Sequence, residues 1–179
     1  MLFTLNGTDA LNLAIRGLAM PKLLRGEPVR VVATDLEHNS VIRPFRTLES
    51  LGAEVVFVPL DPHTGAADPS QFAEALGPKT TLCAAIHGSN VTGAVQPLTE
   101  FGVAAKANDV PFLVDASQTF GRIPIDVEAM QIDMLAFSGH KYLLGPLGTG
   151  GLWVRDHLSL MPLRDGGTGS MSELEYQPE

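Results

Sequence analysis

The sequence predicts an α/β fold: a mostly parallel sheet between two layers of helices, a three-layer α/β/α arrangement. Three observations carry this. The runs 29–34, 55–58, 81–87 and 111–115 are short and apolar or β-branched nearly throughout, as in strands buried on both faces. Segments with apolar residues at helical spacing separate most of them, which calls for parallel strands joined by right-handed crossovers. The runs also end, one after another, in polar residues of kinds that do chemistry, and open sheets bind ligands at the carboxyl ends of their strands.

Taken in order, residues 2–4 are the end of a strand. Thr8 or Asp9 caps a helix whose apolar residues Leu11, Ala14, Ile15 and Leu18 recur at helical spacing. Strand 29–34 precedes a helix over 39–51 (Val41, Ile42, Phe45, Leu48), ended by Gly52 in the C′ position. Strand 55–58 gives way to a turn-rich stretch, 61–69, and a short capped helix over 70–76 that stops at Gly77-Pro78. Strand 81–87, helix 98–107 and strand 111–115 follow. The last two strands, 134–137 and 150–154, have no helix between them, so the rhythm breaks and one of the pair is expected to run antiparallel.

With 179 residues, 45% of them hydrophobic and 18% charged, the chain has the make-up of one ordinary folded domain. A formal net charge of −8 gives no reason to expect nucleic acid or an anionic membrane as partner. No apolar run reaches the roughly 18–20 residues of a membrane span, and Met1-Leu2-Phe3-Thr4 shows no signal peptide. Cys83 is the one cysteine, which excludes an intramolecular disulfide and zinc clusters of several thiolates. A cytoplasmic protein is expected. Both ends look abrupt, and we expect a piece of a longer protein: residues 1–179 as an incomplete large domain, without its N-terminal segment and its C-terminal small domain.

The strand ends carry the chemistry. Gly7 and Thr8, at a helix start, are in isolation most simply a cap, yet they also offer backbone N–H groups and a hydroxyl to a phosphate dianion. No Walker or dinucleotide-binding glycine pattern is present. Asp115 closes a buried strand, where a carboxylate is costly without a cationic or hydrogen-bonding partner; a protonated pyridine nitrogen is such a partner. His38 is either a surface histidine or one that stacks on an aromatic cofactor and shuttles protons. Asn90 and Gln118 either satisfy turns or hydrogen-bond a phenolic ring oxygen. Lys141 lies just beyond a buried strand, poorly placed as a solvated charge, and a desolvated lysine amine is a competent nucleophile toward an aldehyde. Ser138 and His140 flank it as further donors to a phosphate. In combination these residues point to pyridoxal 5′-phosphate (PLP), held by Lys141 as a Schiff base. A metal site from His38, His87 and His140 is disfavoured, because no paired ligand spacing exists.

Five ordered motifs carry a family resemblance: Asn6-Gly7-Thr8-Asp9-Ala10-Leu11-Asn12, Glu37-His38-Asn39-Ser40, His87-Gly88-Ser89-Asn90-Val91-Thr92-Gly93, Val114-Asp115-Ala116-Ser117-Gln118 and Ser138-Gly139-His140-Lys141. In these, over nearly its whole length, the chain resembles the class V aminotransferase group of fold-type I PLP enzymes, especially the cysteine desulfurase branch. The resemblance implies the large domain of the PLP-transferase fold. It implies that Lys141 binds the cofactor and moves protons at the substrate Cα, that Asp115 pairs with the pyridinium nitrogen, and that His38 stacks on the ring. Gln118 would contact the phenolic oxygen, and Asn90 that oxygen or the substrate carboxylate. Thr8, Ser138 and His140 would hold the phosphate with the Gly7 or Thr8 backbone. Ser117 stands where the group usually has a small alanine beneath the ring, a departure. Gly166-Gly167-Thr168-Gly169-Ser170 resembles a glycine-rich segment that lies near the active-site region of these dimers.

By the same resemblance the substrate is an amino acid, L-cysteine first, and the products are alanine and an enzyme persulfide. The full-length protein would be a homodimer, with a sulfur-acceptor protein as a further partner. The family's nucleophilic cysteine and carboxylate-binding arginine come from a later segment, beyond Glu179 here. Cys83, inside an apolar strand, reads as core. The alternatives are another class V activity, selenocysteine lyase or aminotransferase, and a catalytically incompetent fragment.

Overall fold

The computed structural model describes residues 1–166; the glycine-rich segment lies outside them from Gly167 onward. In chain order the elements are β1 (Leu2–Thr4), α1 (Gly7–Leu24), β2 (Arg30–Thr34), α2 (Asn39–Ser50), β3 (Glu54–Val58), α3 (Pro69–Ala75), β4 (Thr80–Ile86), α4 (Leu98–Ala107), β5 (Phe112–Asp115), β6 (Met134–Ser138) and β7 (Gly150–Val154). The strands form one sheet in the order β1-β7-β6-β5-β4-β2-β3. Neighbours from β3 to β6 pair parallel. β7 is antiparallel to both β6 and β1, so it is the expected antiparallel member. Because β1 and β6 both oppose β7, the carboxyl ends of all the other six strands reach one edge.

Side-chain alternation divides the core between the two faces. On β4, Leu82 and Ala84 pack with Leu11, Ile15 and Phe45 of α1 and α2, whereas Cys83 and Ala85 pack with Phe72 and Phe101 of α3 and α4. All of these side chains are buried, and each large one contributes about 1.5–3 kcal/mol by leaving water. Phe72 and Phe101 stack at 4.2 Å between ring centres, tying α3 to α4. The three-layer expectation is met.

Two helix starts differ from the sequence expectation. Asn6, not Thr8 or Asp9, caps α1: its backbone stays extended and its side chain accepts the Asp9 N–H at 2.9 Å. The helix starts as soon as the chain leaves β1, because Gly7 can enter the crowded turn below. α3 begins at Pro69, ahead of Ser70, because Asp68 accepts the N–H groups of Ser70 and Gln71 and a proline at the first helical position has no N–H to satisfy. At the other end of α2, Gly52 takes φ +98°, the left-handed conformation that stops a helix cheaply only at glycine.

The connectivity creates a crevice. After β2 the chain turns to α2 on one face; after β4 it turns to α4 on the other. β2 and β4 are adjacent strands, so their loops part at the carboxyl edge, the topological switch point where open α/β sheets take ligands.

Candidate active site

That edge holds a small recess, open to solvent on one side. Five of the parallel strand ends reach it. Thr8 arrives after β1, His38 after β2, Asn90 after β4, Asp115 and Gln118 at and after β5, and Ser138 and Lys141 at and after β6. Seven of the residues singled out from the sequence thus line one wall. Ser40, Ile86 and Ser117 complete the lining.

Gly7 sits just behind the wall, where its N–H donates to the Ser138 hydroxyl at 3.1 Å. A Cβ here would come within 2.5 Å of Ser117 Oγ and 2.8 Å of Ser138 Oγ. Only glycine lets the start of α1 approach the ends of β5 and β6 so closely. The amino end of an 18-residue helix and three hydroxyls, those of Thr8, Ser117 and Ser138, therefore meet in one corner. This is the donor set a phosphate dianion needs. His140 is half-buried and stands off the wall, and its Nδ1 is buried without a hydrogen-bond partner among the described residues.

Asp115 is 3% exposed. Its Oδ1 accepts the Ser117 N–H at 2.9 Å, and among the described residues no cation lies within ion-pair distance of it. A buried carboxylate left so is expensive unless a positive group joins it. Lys141, half-buried on the same recess, has no ion-pair partner among the described residues either. His38 caps α2: its Nδ1 accepts the Ser40 N–H and lies 2.7 Å from the Ser40 hydroxyl. That anchors the ring and leaves Nε2 toward other partners. A cation-seeking acid, an amine, an anchored imidazole and a phosphate-type corner fit a phosphorylated pyridine aldehyde.

Two residues carry electrostatic weight that sequence reasoning did not assign. Glu37 is buried, with Oε1 accepting from Thr34 Oγ1 at 2.7 Å and from the Ile86 N–H at 2.8 Å. Burial, helped by the Asp115 charge, pushes its carboxyl up to about 8 against the opposing pull of those two donors. His87 is buried, its Nδ1 2.9 Å from Thr119 Oγ1, and burial lowers its pKa. The signal for Glu37 was its place between a strand end and His38, yet nothing in the sequence says that its carboxyl turns inward. Ser40 was detectable only as a polar residue in the first turn of α2, and Ile86 lines the recess as an apolar strand residue without any distinguishing signal.

Cys83 lies in the core. It is fully buried in β4, its Sγ is 3.6 Å from the Pro111 carbonyl oxygen, and burial, with the Asp133 charge behind it, pushes its thiol well above the ordinary range. Such a thiol is not a nucleophile. Among the described residues no group of three or more His, Cys, Asp or Glu side chains is placed to hold a metal ion, and no helix is long and apolar enough to cross a membrane.

Fold and recess together define a doubly wound α/β ligand-binding domain with its site at the sheet's carboxyl edge. The chain belongs to the aminotransferase class-V family, whose model matches residues 1–177. It is 36% identical over 168 residues to the cysteine desulfurase IscS of Dictyoglomus turgidum, covering 94% of this chain and 42% of that protein. It is 39% identical over 167 residues to the putative cysteine desulfurase IscS 1 of Bacillus subtilis, covering 93% and 43%. Two solved structures are similar in both sequence and fold. SspA in complex with cysteine has a TM-score of 0.86 at 38% identity, covering 93% of this chain and 47% of that one. The apo cysteine desulfurase from Thermococcus onnurineus NA1 has 0.83 at 33%, covering 93% and 42%. The chain spans less than half the length of the curated relatives it matches.

Proposed function

We propose that the chain is the cofactor-binding portion of a PLP-dependent, cysteine desulfurase-like enzyme that removes sulfur from L-cysteine. The observation that carries this is Asp115, buried with no cation within ion-pair distance among the described residues, on the same recess as Lys141. A pyridinium nitrogen is the positive group Asp115 lacks. The Lys141 amine is the group to take the aldehyde, and Thr8, Ser138, the Gly7–Thr8 backbone and the unpartnered His140 Nδ1 are the donors for the phosphate. PLP, when bound, supplies an electron sink for negative charge at the substrate Cα. Lys141 moves the proton at that carbon. His38, held at Nδ1 by Ser40, packs on the ring and exchanges protons through Nε2. Gln118 and Asn90 offer amides to the phenolic oxygen or the substrate carboxylate.

In the net reaction the C–S bond of cysteine breaks, the sulfur passes to an enzyme thiolate as a persulfide, and the carbon fragment gains protons and leaves as alanine. Cys83 is too deeply buried to be that thiol. The nucleophile is then a cysteine outside these 179 residues. The solved structure of SspA in complex with cysteine supports the substrate. Leu144 and Leu147, 89% and 86% exposed close behind Lys141, support a homodimer in which a second subunit covers this edge. A sulfur-acceptor protein and a cytoplasmic location belong to the same reading.

With PLP added, the purified protein is expected to show an imine absorption band that disappears in Lys141→Ala; no difference between the two defeats the cofactor assignment. Alanine release from cysteine by the longer protein supports the desulfurase reading. Selenide release from selenocysteine, or amino transfer to a keto acid, would favour another activity of the family instead. A melting temperature that does not rise with PLP would mark the chain as a fragment incompetent to bind it.

A further inference from the structure

We infer that Glu37 works as a neutral carboxylic acid, a positioning residue that closes the gap between β2 and β4 and holds the edge on which His38 and Asp115 meet the cofactor. The role in positioning rests on the PLP reading above; the protonation state does not.

The ladder between β2 and β4 ends at Ala33 and Ala84. β4 runs on to Ile86, which pairs with Asp115 on its other side. At the switch point the Ile86 N–H therefore has no strand partner on the β2 side, and a buried N–H without an acceptor is expensive. Glu37 Oε1 supplies the acceptor, and it also takes the hydroxyl of Thr34, the last residue of β2. One side-chain oxygen thus completes the sheet where its backbone parts. Ile86 lines the recess and His38 is the next residue along the chain, so the same oxygen ties two walls together.

The hydrogen bonding identifies the protonation state. Both donors converge on Oε1, while Oε2 is buried with no hydrogen-bond partner among the described residues. In a carboxylate, Oε2 would carry half a negative charge in a dry site with nothing to satisfy it. In the neutral acid, Oε1 is the carbonyl, a good acceptor for two donors, and Oε2 is a hydroxyl, far cheaper to leave buried. The nearby charge acts the wrong way for an anion: Asp115, across β4 on β5, is negative. Among the described residues no cation lies within ion-pair distance of Glu37. The remaining titratable groups on the adjoining chain are Asp35 and His38 before α2 and His87 after β4, and of these burial lowers His87, disfavouring a positive charge there. A neutral Glu37 leaves Asp115 as the single anion behind the pyridinium. An ionised one would add a second buried negative charge and pull this corner apart toward water.

The side chain that tests this is glutamine, which keeps the Oε1 acceptor and cannot ionise. On cofactor-free protein carrying ¹³C-labelled glutamate, one carboxyl resonance should titrate in the alkaline range, apart from the others, and should be missing from Glu37→Gln. Between about pH 6 and pH 8 the folding equilibrium of the unmodified protein should lose up to about tenfold per pH unit relative to Glu37→Gln. With PLP, Glu37→Gln should bind within roughly twofold of the unmodified protein near pH 6, and retain binding near pH 9 where the unmodified protein weakens by roughly threefold or more. The inference is overturned if no glutamate titrates above the ordinary carboxylate range, if the two proteins share one pH profile, or if Glu37→Gln loses PLP near pH 6. Should the variant fail to fold, the resonance of the unmodified protein decides. The first two arms use no cofactor, so they stand or fall separately from the Lys141→Ala test of PLP binding.

Discussion

Asp115 concentrates the electrostatics of the recess in one side chain. Its single described hydrogen bond comes from the Ser117 N–H, two residues on, so the strand end itself aims the carboxyl while leaving its charge unmatched. Replacing it with asparagine keeps the shape and removes the charge. Hydrogen bonds to charged groups contribute about 1.5–3 kcal/mol, so Asp115→Asn is expected to weaken PLP binding by about 10–100-fold, read from an absorbance titration. Equal affinity in the two proteins would remove Asp115 from the cofactor contact. Gly7 works by subtraction: it is the absence of a Cβ that brings a helix terminus against two serine hydroxyls. Cys83 shows the opposite case, a residue with reactive chemistry that burial makes inert.

Among the elements, α4 is held by a close backbone contact. Leu98, Phe101 and Ala105 are buried along it, and Gly102, one position past Phe101, lies directly under the 126–131 turn. A Cβ at Gly102 would be 1.9 Å from the Met130 carbonyl oxygen and 2.9 Å from its carbon. Backbone cannot step aside as a flexible side chain can. Gly102→Ala is therefore expected to cost roughly 3 kcal/mol, the upper range for overpacking, visible as a lowered denaturation midpoint with an unchanged slope. A midpoint equal to that of the unmodified protein would show that α4 slides freely. α1 is set by different means, with Asn6 as cap and Ser138 taking the first N–H. The helix that presents the phosphate corner is thus pinned by β6, not by its own sequence alone.

For the molecule as a whole, two buried groups make folding stability depend on pH in opposite senses. His87 has a folded pKa below its ordinary 6.5 because of burial. Below that value the unfolded chain takes up a proton that the folded one refuses, so the His87 contribution to stability falls as pH drops below 6.5. Glu37 acts in the other sense: its folded value, about 8, exceeds the ordinary 4.5, so the folded chain holds a proton the unfolded one has lost, and stability declines as pH rises between them. Urea titrations below pH 6.5 should show His87→Gln gaining stability relative to the unmodified protein as pH falls, by less than tenfold per pH unit in the folding equilibrium. An unchanged acid side in that variant would assign the decline to other groups, among them Asp61 and Asp68, whose turn and cap hydrogen bonds hold their carboxyls low.

Much of this architecture was legible from residue patterns. The unbroken apolar run of β4, the helical spacing in α1 and α2, and Gly52 after α2 are local signals, and local signals set secondary structure where the strands are buried on both faces. The strand-end motifs located Lys141, Asp115, His38 and Thr8 in advance, because a polar residue immediately after a buried strand is costly without a purpose. The helix cap at Asn6 was misplaced by two or three residues, since Asn, Thr and Asp are all competent caps and only the path out of β1 selects among them.

By itself, then, the sequence determined the α/β class, the strands and helices, the family and the side chains proposed for the site. The tertiary structure alone decided that seven of those side chains share one recess while Gly7 and His140 stand behind and beside it. It also decided that Cys83 is sealed in the core and that Glu37 turns inward to join β2 to β4. The reason is physical: patterns along the chain report which face of an element is buried, whereas convergence and charge state depend on which strands lie side by side, and strand order is a long-range property.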